Sequence, residues 1–216
     1  MVTATKNKEQ TKRKLIEAVA VIFRTEGYRG LGVNKVAKLA GVHKKLIYRY
    51  FGGFEQLVEA YVVETDYWMQ FADHMRQLTL PKDINETKNL IGHLLKNQFL
   101  YFQADEQMQQ LILWELSTNS NLMRSIHRTR EAMGQQFLEL TDPYFSKSQV
   151  NFRAIAALLV GGIYYTILHT RHNGGMFSDV DLSKPAGRQD ILNAIDVILE
   201  MTFRLSNGSP VEDMAK

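Results

Sequence analysis

Apolar positions recur every three or four residues along almost the whole chain, and strand-like alternation bounded by turn residues is not found. In 10–25, Leu15, Val19, Ile22 and Phe23 fall at helical spacing. Glu26-Gly27-Tyr28 then supplies a stop whose glycine suits a left-handed cap. A short second helix is expected over 33–40, with Val36, Ala37 and Ala40 facing inward. Gly41-Val42 turns the chain into a third helix, 43–51, which Gly52-Gly53 breaks. A long helix is predicted over 54–78, followed by helices at about 85–103, 106–116 and 121–140, the last ended by Thr141-Asp142-Pro143. The strongly apolar stretch 147–170 reads as a buried helix. Three glycines and a proline make 171–187 a loop, 189–205 is the last helix, and 207–216 is a polar tail. The fold class is all-α, divided as 1–53, 54–206 and the tail.

Charge sharpens that division. Residues 1–50 hold twelve Lys or Arg against Glu9, Glu17 and Glu26, a balance of +9, whereas the rest of the chain carries −6. A basic head on an acidic body is the footprint of a nucleic-acid-binding module joined to a non-binding one. The chain has no cysteine, which excludes a disulfide scaffold, a Cys-type zinc finger and a thiol sensor. No apolar run approaches the roughly 20 residues needed to cross a bilayer, and Met1 to Glu9 lack the apolar centre of a signal peptide. A soluble, cytoplasmic protein with no membrane partner is the expectation.

Two short helices joined by a tight glycine turn form a helix-turn-helix, whose second helix enters the major groove. Here the second helix carries His43, Lys44, Lys45, Leu46, Tyr48, Arg49 and Tyr50, while Ile47 and Phe51 form its docking stripe. One apolar face and one cationic face are what groove binding requires.

The segments Val36-Ala37-Lys38-Leu39-Ala40-Gly41-Val42 and Leu46-Ile47-Tyr48-Arg49-Tyr50-Phe51 resemble the signature of the Tet repressor (TetR) family, and the resemblance covers about residues 10–60. It implies a homodimeric, Ω-shaped protein of about nine helices: a three-helix DNA-binding head on a helical dimerisation and ligand-binding body, usually a ligand-released repressor. By position, His43, Lys44, Lys45 and Leu46 fall where family members meet bases and phosphates, and Tyr48, flanked by Arg49 and Tyr50, matches a tyrosine on the DNA backbone. Two departures stand out. Gly32 replaces the usual Thr or Ser opening the second helix, and Phe54 replaces the usual Lys ahead of Glu55.

In the body, Ala154, Ala156, Ala157, Gly161 and Gly162 lie among large aliphatics. Adjacent mid-helix glycines cost roughly 1 kcal/mol each relative to alanine, which a close helix crossing would offset. Leu158, Gly161, Gly162, Ile195 and Ile198 are therefore candidate dimer contacts, and a two-fold dimer suits a palindromic double-stranded DNA operator. Trp68, Phe71, Phe102, Trp114 and Tyr165 are candidates to line an effector cavity, or plain core. Glu115, within an apolar run, is either surface or the anchor of a cationic ligand, and His127 lies near Arg124, Arg128 and Arg130. The effector itself is unknown. His169 and His172 have metal-compatible spacing but sit near a helix C-terminus, where the dipole favours them, and no metal or cofactor is expected. No catalytic motif is present. The alternative reading is an effector-free, architectural or chromosome-associated DNA-binding protein of the same fold.

Overall fold

The computed structural model describes residues 2–66, 80–118 and 121–206, apart from the side chains of residues 2–6. Among the described residues are nine α-helices: α1 (Val2–Glu26), α2 (Val33–Leu39), α3 (Lys45–Phe51), α4 (Phe54–Thr65), α5 (Ile84–Ala104), α6 (Glu106–Ser117), α7 (Asn121–Phe145), α8 (Phe152–His172) and α9 (Pro185–Ser206). A single 3-10 turn, Tyr28–Gly30, follows α1, and the two-residue strands β1 (Met176–Phe177) and β2 (Val180–Asp181) separate α8 from α9. The all-α class read from the periodicity is the one the chain adopts.

The chain forms two compact units, one of residues 1–76 with 106–131, the other of 77–105 with 132–216. Compactness thus groups α4, α6 and the start of α7 with the three-helix head. In this first unit Leu15, Val19, Val36, Ile47 and Leu57 are fully buried. Phe23 carries that core onto Tyr61 and Trp114, with ring centroids 5.6 and 6.0 Å away. Aromatic contacts of this kind add to simple area burial.

In the second unit α5 packs against α8 and α9. Lys88 pairs with Glu200 at 2.5 Å and Lys96 with Asp196 at 2.7 Å along the α5–α9 seam. Phe145, Phe152 and Phe203 form a three-ring cluster with centroids 4.8 to 5.4 Å apart.

Several boundaries differ from expectation. α1 begins at Val2 rather than near residue 10. α4 ends at Thr65, where Asp66 turns extended while its N–H still reaches the Val62 carbonyl, so the predicted helix over 54–78 stops early, and 67–79 lie outside the described residues. α7 runs through Pro143 to Phe145, although the proline ring has no N–H to donate to the Glu139 carbonyl one turn before it. The predicted loop 171–187 contains an antiparallel hairpin whose turn residues Ser178 and Asp179 are both left-handed, the geometry that a two-residue turn needs to follow the strand twist.

α8 overturns a further expectation. By length and composition it is long and apolar enough to cross a bilayer. Its apolar character is divided between two faces. Ile163 and Ile167 enter the core, while Ala154, Ala157, Leu158, Gly161, Gly162 and Tyr165 are exposed.

Candidate nucleic-acid interface

The head is built so that one short helix is held from behind and open in front. Ile47 is the only residue of α3 that is fully buried, and it meets the same core as Leu15, Val19 and Val36. Leu46, Tyr50 and Phe51 are half-buried and flank it. His43, Lys44, Lys45, Tyr48 and Arg49 are exposed, Tyr48 to 54%. An aromatic residue so open on a helix of seven residues is unusual for a core element and suits a ligand-facing surface.

The turn into α3 rests on Gly41, whose φ of +65° a side chain would disfavour. α3 begins at Lys45, later than expected, because His43 lies outside the helix as a cap. Its Nδ1 accepts the Lys45 N–H at 3.2 Å, and its carbonyl accepts the Leu46 N–H at 2.9 Å. The imidazole thus does what Ser or Asp does at other helix starts. At the other end Gly52, at φ +90°, donates its N–H to the Tyr48 carbonyl and closes the helix. Gly32, where the resemblance leads one to expect a hydroxyl, opens α2 without any side-chain cap, its carbonyl alone accepting the Val36 N–H at 2.9 Å.

Cations surround α3. Lys44 Nζ donates to Asn34 Oδ1 at 3.3 Å, bracing the end of the turn against α2. The Arg49 guanidinium lies 5.9 Å from the Tyr50 ring centroid. Lys8 and Lys12, both on α1, lie 6.0 Å from the ring centroids of Tyr50 and Phe51. Lys35 pairs with Glu26, so its charge is partly answered within the head.

The candidate effector residues fall apart between the two units. Trp68 and Phe71 lie outside the described residues. Phe102 is core of the second unit, edge-on to Tyr164 with centroids 4.7 Å apart, and Tyr165 is exposed beside His169 and Phe177. Trp114 belongs to the first unit and stacks on Tyr28 at 5.3 Å and 3°. Hydrogen bonds from Arg29, then Thr118, hold the Tyr28 phenol below its ordinary range.

Glu115 is not an open anchor for a cationic ligand. The Arg130 guanidinium bridges it to Asp66, the Asp66 contact being 2.5 Å, and exposed His127 lies 3.5 Å from the other Glu115 oxygen. The Asp66 and Arg130 side chains are almost completely buried, so this network ties the end of α4 to α6 and α7. Sequence reading missed Asp66 and the role of Arg130 because the three residues are far apart along the chain, and no local spacing announces them. Two surface grooves of about 320 Å³ lie elsewhere, one around the α7–α8 turn and one between α1 and Leu39-Ala40, and none of the candidate effector residues lines either.

Of the candidate dimer contacts, Leu158, Gly161, Gly162 and Ile198 are exposed, and a Cβ placed at either glycine would touch nothing in its own chain. Ile195 is corrected: it is 2% exposed, one of the core positions of α9, and has no surface to offer a partner.

Residues 15–61 match the model of the bacterial regulatory proteins of the tetR family. The HTH-type transcriptional regulator LmrA of Bacillus subtilis is 29% identical over 140 residues, covering 63% of this chain and 70% of LmrA. The HTH-type transcriptional repressor NicS of Pseudomonas putida is 22% identical over 198 residues, covering 87% of this chain and 89% of NicS. For four curated relatives, including LmrA, the matched segment spans only 53 to 70% of their length. Among solved structures, the transcriptional regulator FadR of Bacillus subtilis, crystallised with stearoyl-CoA, shares the fold at a TM-score of 0.63 and 20% identity, over 85% of this chain and 96% of FadR.

Proposed function

We propose that the chain, whose residues 15–61 match the tetR family of bacterial regulatory proteins, is a member of that family, a homodimeric, ligand-released transcriptional repressor acting in the cytoplasm on a palindromic double-stranded DNA operator. The observation that carries the reading is the open face of α3. Lys44, Lys45, Tyr48 and Arg49 project from a helix fixed from behind by Ile47, so phosphates and base edges meet a preset surface. The division is by function: residues 1–53 bind DNA, and 54–206 sense and dimerise.

Dimerisation is supported by the exposed apolar faces of α8 and α9: Leu158 stands open beside the glycine pair on α8, and Val197, Ile198, Met201 and Leu205 stand open on α9. Monomeric proteins rarely leave such faces uncovered. Ligand release is supported by the relatives' printed roles as repressors and by the acyl-CoA bound in FadR, and here the effector stays unnamed. Catalysis is no part of the proposal.

The test begins with selection of a preferred duplex from a random pool, followed by titration of wild type, Lys44→Ala and Lys45→Ala at several salt concentrations. Each lost phosphate contact removes roughly 0.9 from the slope of log affinity against log salt, so a dimer losing two flattens it by about two. Unchanged affinity and slope in both variants would take this face off the DNA. A second reading, the effector-free architectural protein, is favoured by the packing of Phe102 and Trp114 into protein rather than around a cavity. A small molecule that raises the melting temperature yet leaves operator affinity untouched has no preference between the two states, and decides for that second reading.

A further inference from the structure

α1 starts well ahead of the core it serves. The first buried residue is Leu15, which is also where the family match begins, and residues 7–10 are all exposed. Residues 2–14 therefore form a helical arm of about 20 Å at 1.5 Å per residue. The arm holds Lys6, Lys8, Lys12, Arg13 and Lys14 against Glu9 alone, a balance of +4.

These cations are not equivalent. Arg13 is paired on the surface of the head, with Glu17 at 3.1 Å and with Glu64 on α4 at 2.8 Å. Lys12 shares its charge with Glu9 at 3.6 Å. Lys8 has no carboxylate beside it among the described residues. Its ammonium instead lies over Tyr50, at the C-terminal end of α3 and next to Arg49. The arm is thus continuous with the face that meets DNA, and of matching charge.

We propose that the exposed turn around Lys8 is an additional DNA contact, placing its ammonium on the phosphate backbone that flanks the half-site read by α3. The occupant is double-stranded DNA, and the contact rests on the DNA-binding reading above. The ring of Tyr50 fixes the direction of the lysine stem before DNA arrives, so less side-chain freedom is lost on binding. The contact carries no base information. It lengthens the footprint and fixes register.

The experiment uses the full chain on its selected duplex, with Lys8→Met and Lys8→Arg beside wild type. Methionine keeps an unbranched stem over Tyr50 and removes the charge, and arginine keeps the charge. Two contacts per dimer at roughly 0.9 each predict that wild type loses about twelve-fold more affinity than Lys8→Met between 50 and 200 mM salt, while Lys8→Arg follows wild type. On a duplex trimmed to the two half-sites, the difference between wild type and Lys8→Met should vanish. Equal salt slopes for wild type and Lys8→Met on the long duplex overturn the arm contact and leave α3 as the reader. A flattened slope that persists on the trimmed duplex places Lys8 within the half-site and overturns the flanking assignment. A wild type that prefers no duplex overturns the DNA-binding reading, and the arm with it.

Discussion

Gln98 gives a sharp test of how the second unit is balanced. It is 1% exposed on α5, and among the described residues neither its Oε1 nor its Nε2 has a hydrogen-bond partner. Burying an amide unpaired costs roughly 1–3 kcal/mol by protein mutational data. Its neighbours on the same helix face, Leu94 and Phe102, are apolar and buried. Gln98→Met removes both polar atoms and keeps an unbranched chain of similar length, and swaps that conserve volume cost less than about 1.5 kcal/mol. The balance favours the variant by about 1–2 kcal/mol, which for a chain of this size raises the melting temperature by about 2–8 °C. Urea titrations at one fixed protein concentration, read by circular dichroism, separate this from any change in assembly. Gln98→Glu is the opposite control, since it adds a charge with no counter-ion and should unfold the unit at lower urea. A Gln98→Met protein that melts below wild type would mean that the amide is satisfied in solution, and the reasoning fails.

Arg130→Met leaves Asp66 and Glu115 without their shared cation, and breaking a shielded pair in this way costs about 3–5 kcal/mol. Adding Asp66→Asn and Glu115→Gln to that variant should recover part of the loss in the same urea assay, and no recovery would remove the ion network from the account. Gly162→Leu should yield monomers by light scattering with unchanged helical content, because its Cβ meets nothing within its own chain. A dimeric variant moves the interface off this face. Asp181 is held below its ordinary 3.8 first by the Ser183 hydroxyl and then by Lys184. Its folded value being the lower one, its contribution to stability is full above about pH 4 and fades as pH falls toward that lower value. The gap between wild type and Asp181→Asn in urea midpoint should shrink over that window, and a gap that is constant with pH refutes the carboxylate's role.

The head was legible because its information is local. Leu15, Val19, Val36 and Ile47 announce their burial by spacing, Gly41 and Gly52 mark the turns, and the cations on α3 have no other face to occupy. What sequence could not supply was the product of long-range pairing. The end of α4 at Asp66 is stabilised by Arg130, 64 residues away, so helical periodicity alone ran the helix too far. The same pairing turned Glu115 from a ligand anchor into a structural ion. Ile195 and Ile198 are both apolar and three apart, and only the packing of α5 separates core from surface. His43 was legible as a polar residue at the head of α3, but its role as a cap depends on the Lys45 amide lying 3.2 Å from the ring.

The open face of α8 has a consequence for behaviour at low copy number. In the proposed dimer a second copy covers the outer side of this helix, which is apolar enough to pass for a bilayer span, and the isolated protomer is then a poor inhabitant of water. When the dimer dissociates above the concentration at which DNA is bound, occupancy of the operator rises with the square of protomer concentration rather than in proportion to it. Synthesis and dilution would then set a threshold for repression without any cooperativity between operators, and the steepness of that threshold would be written in the side chains around Gly161 and Gly162.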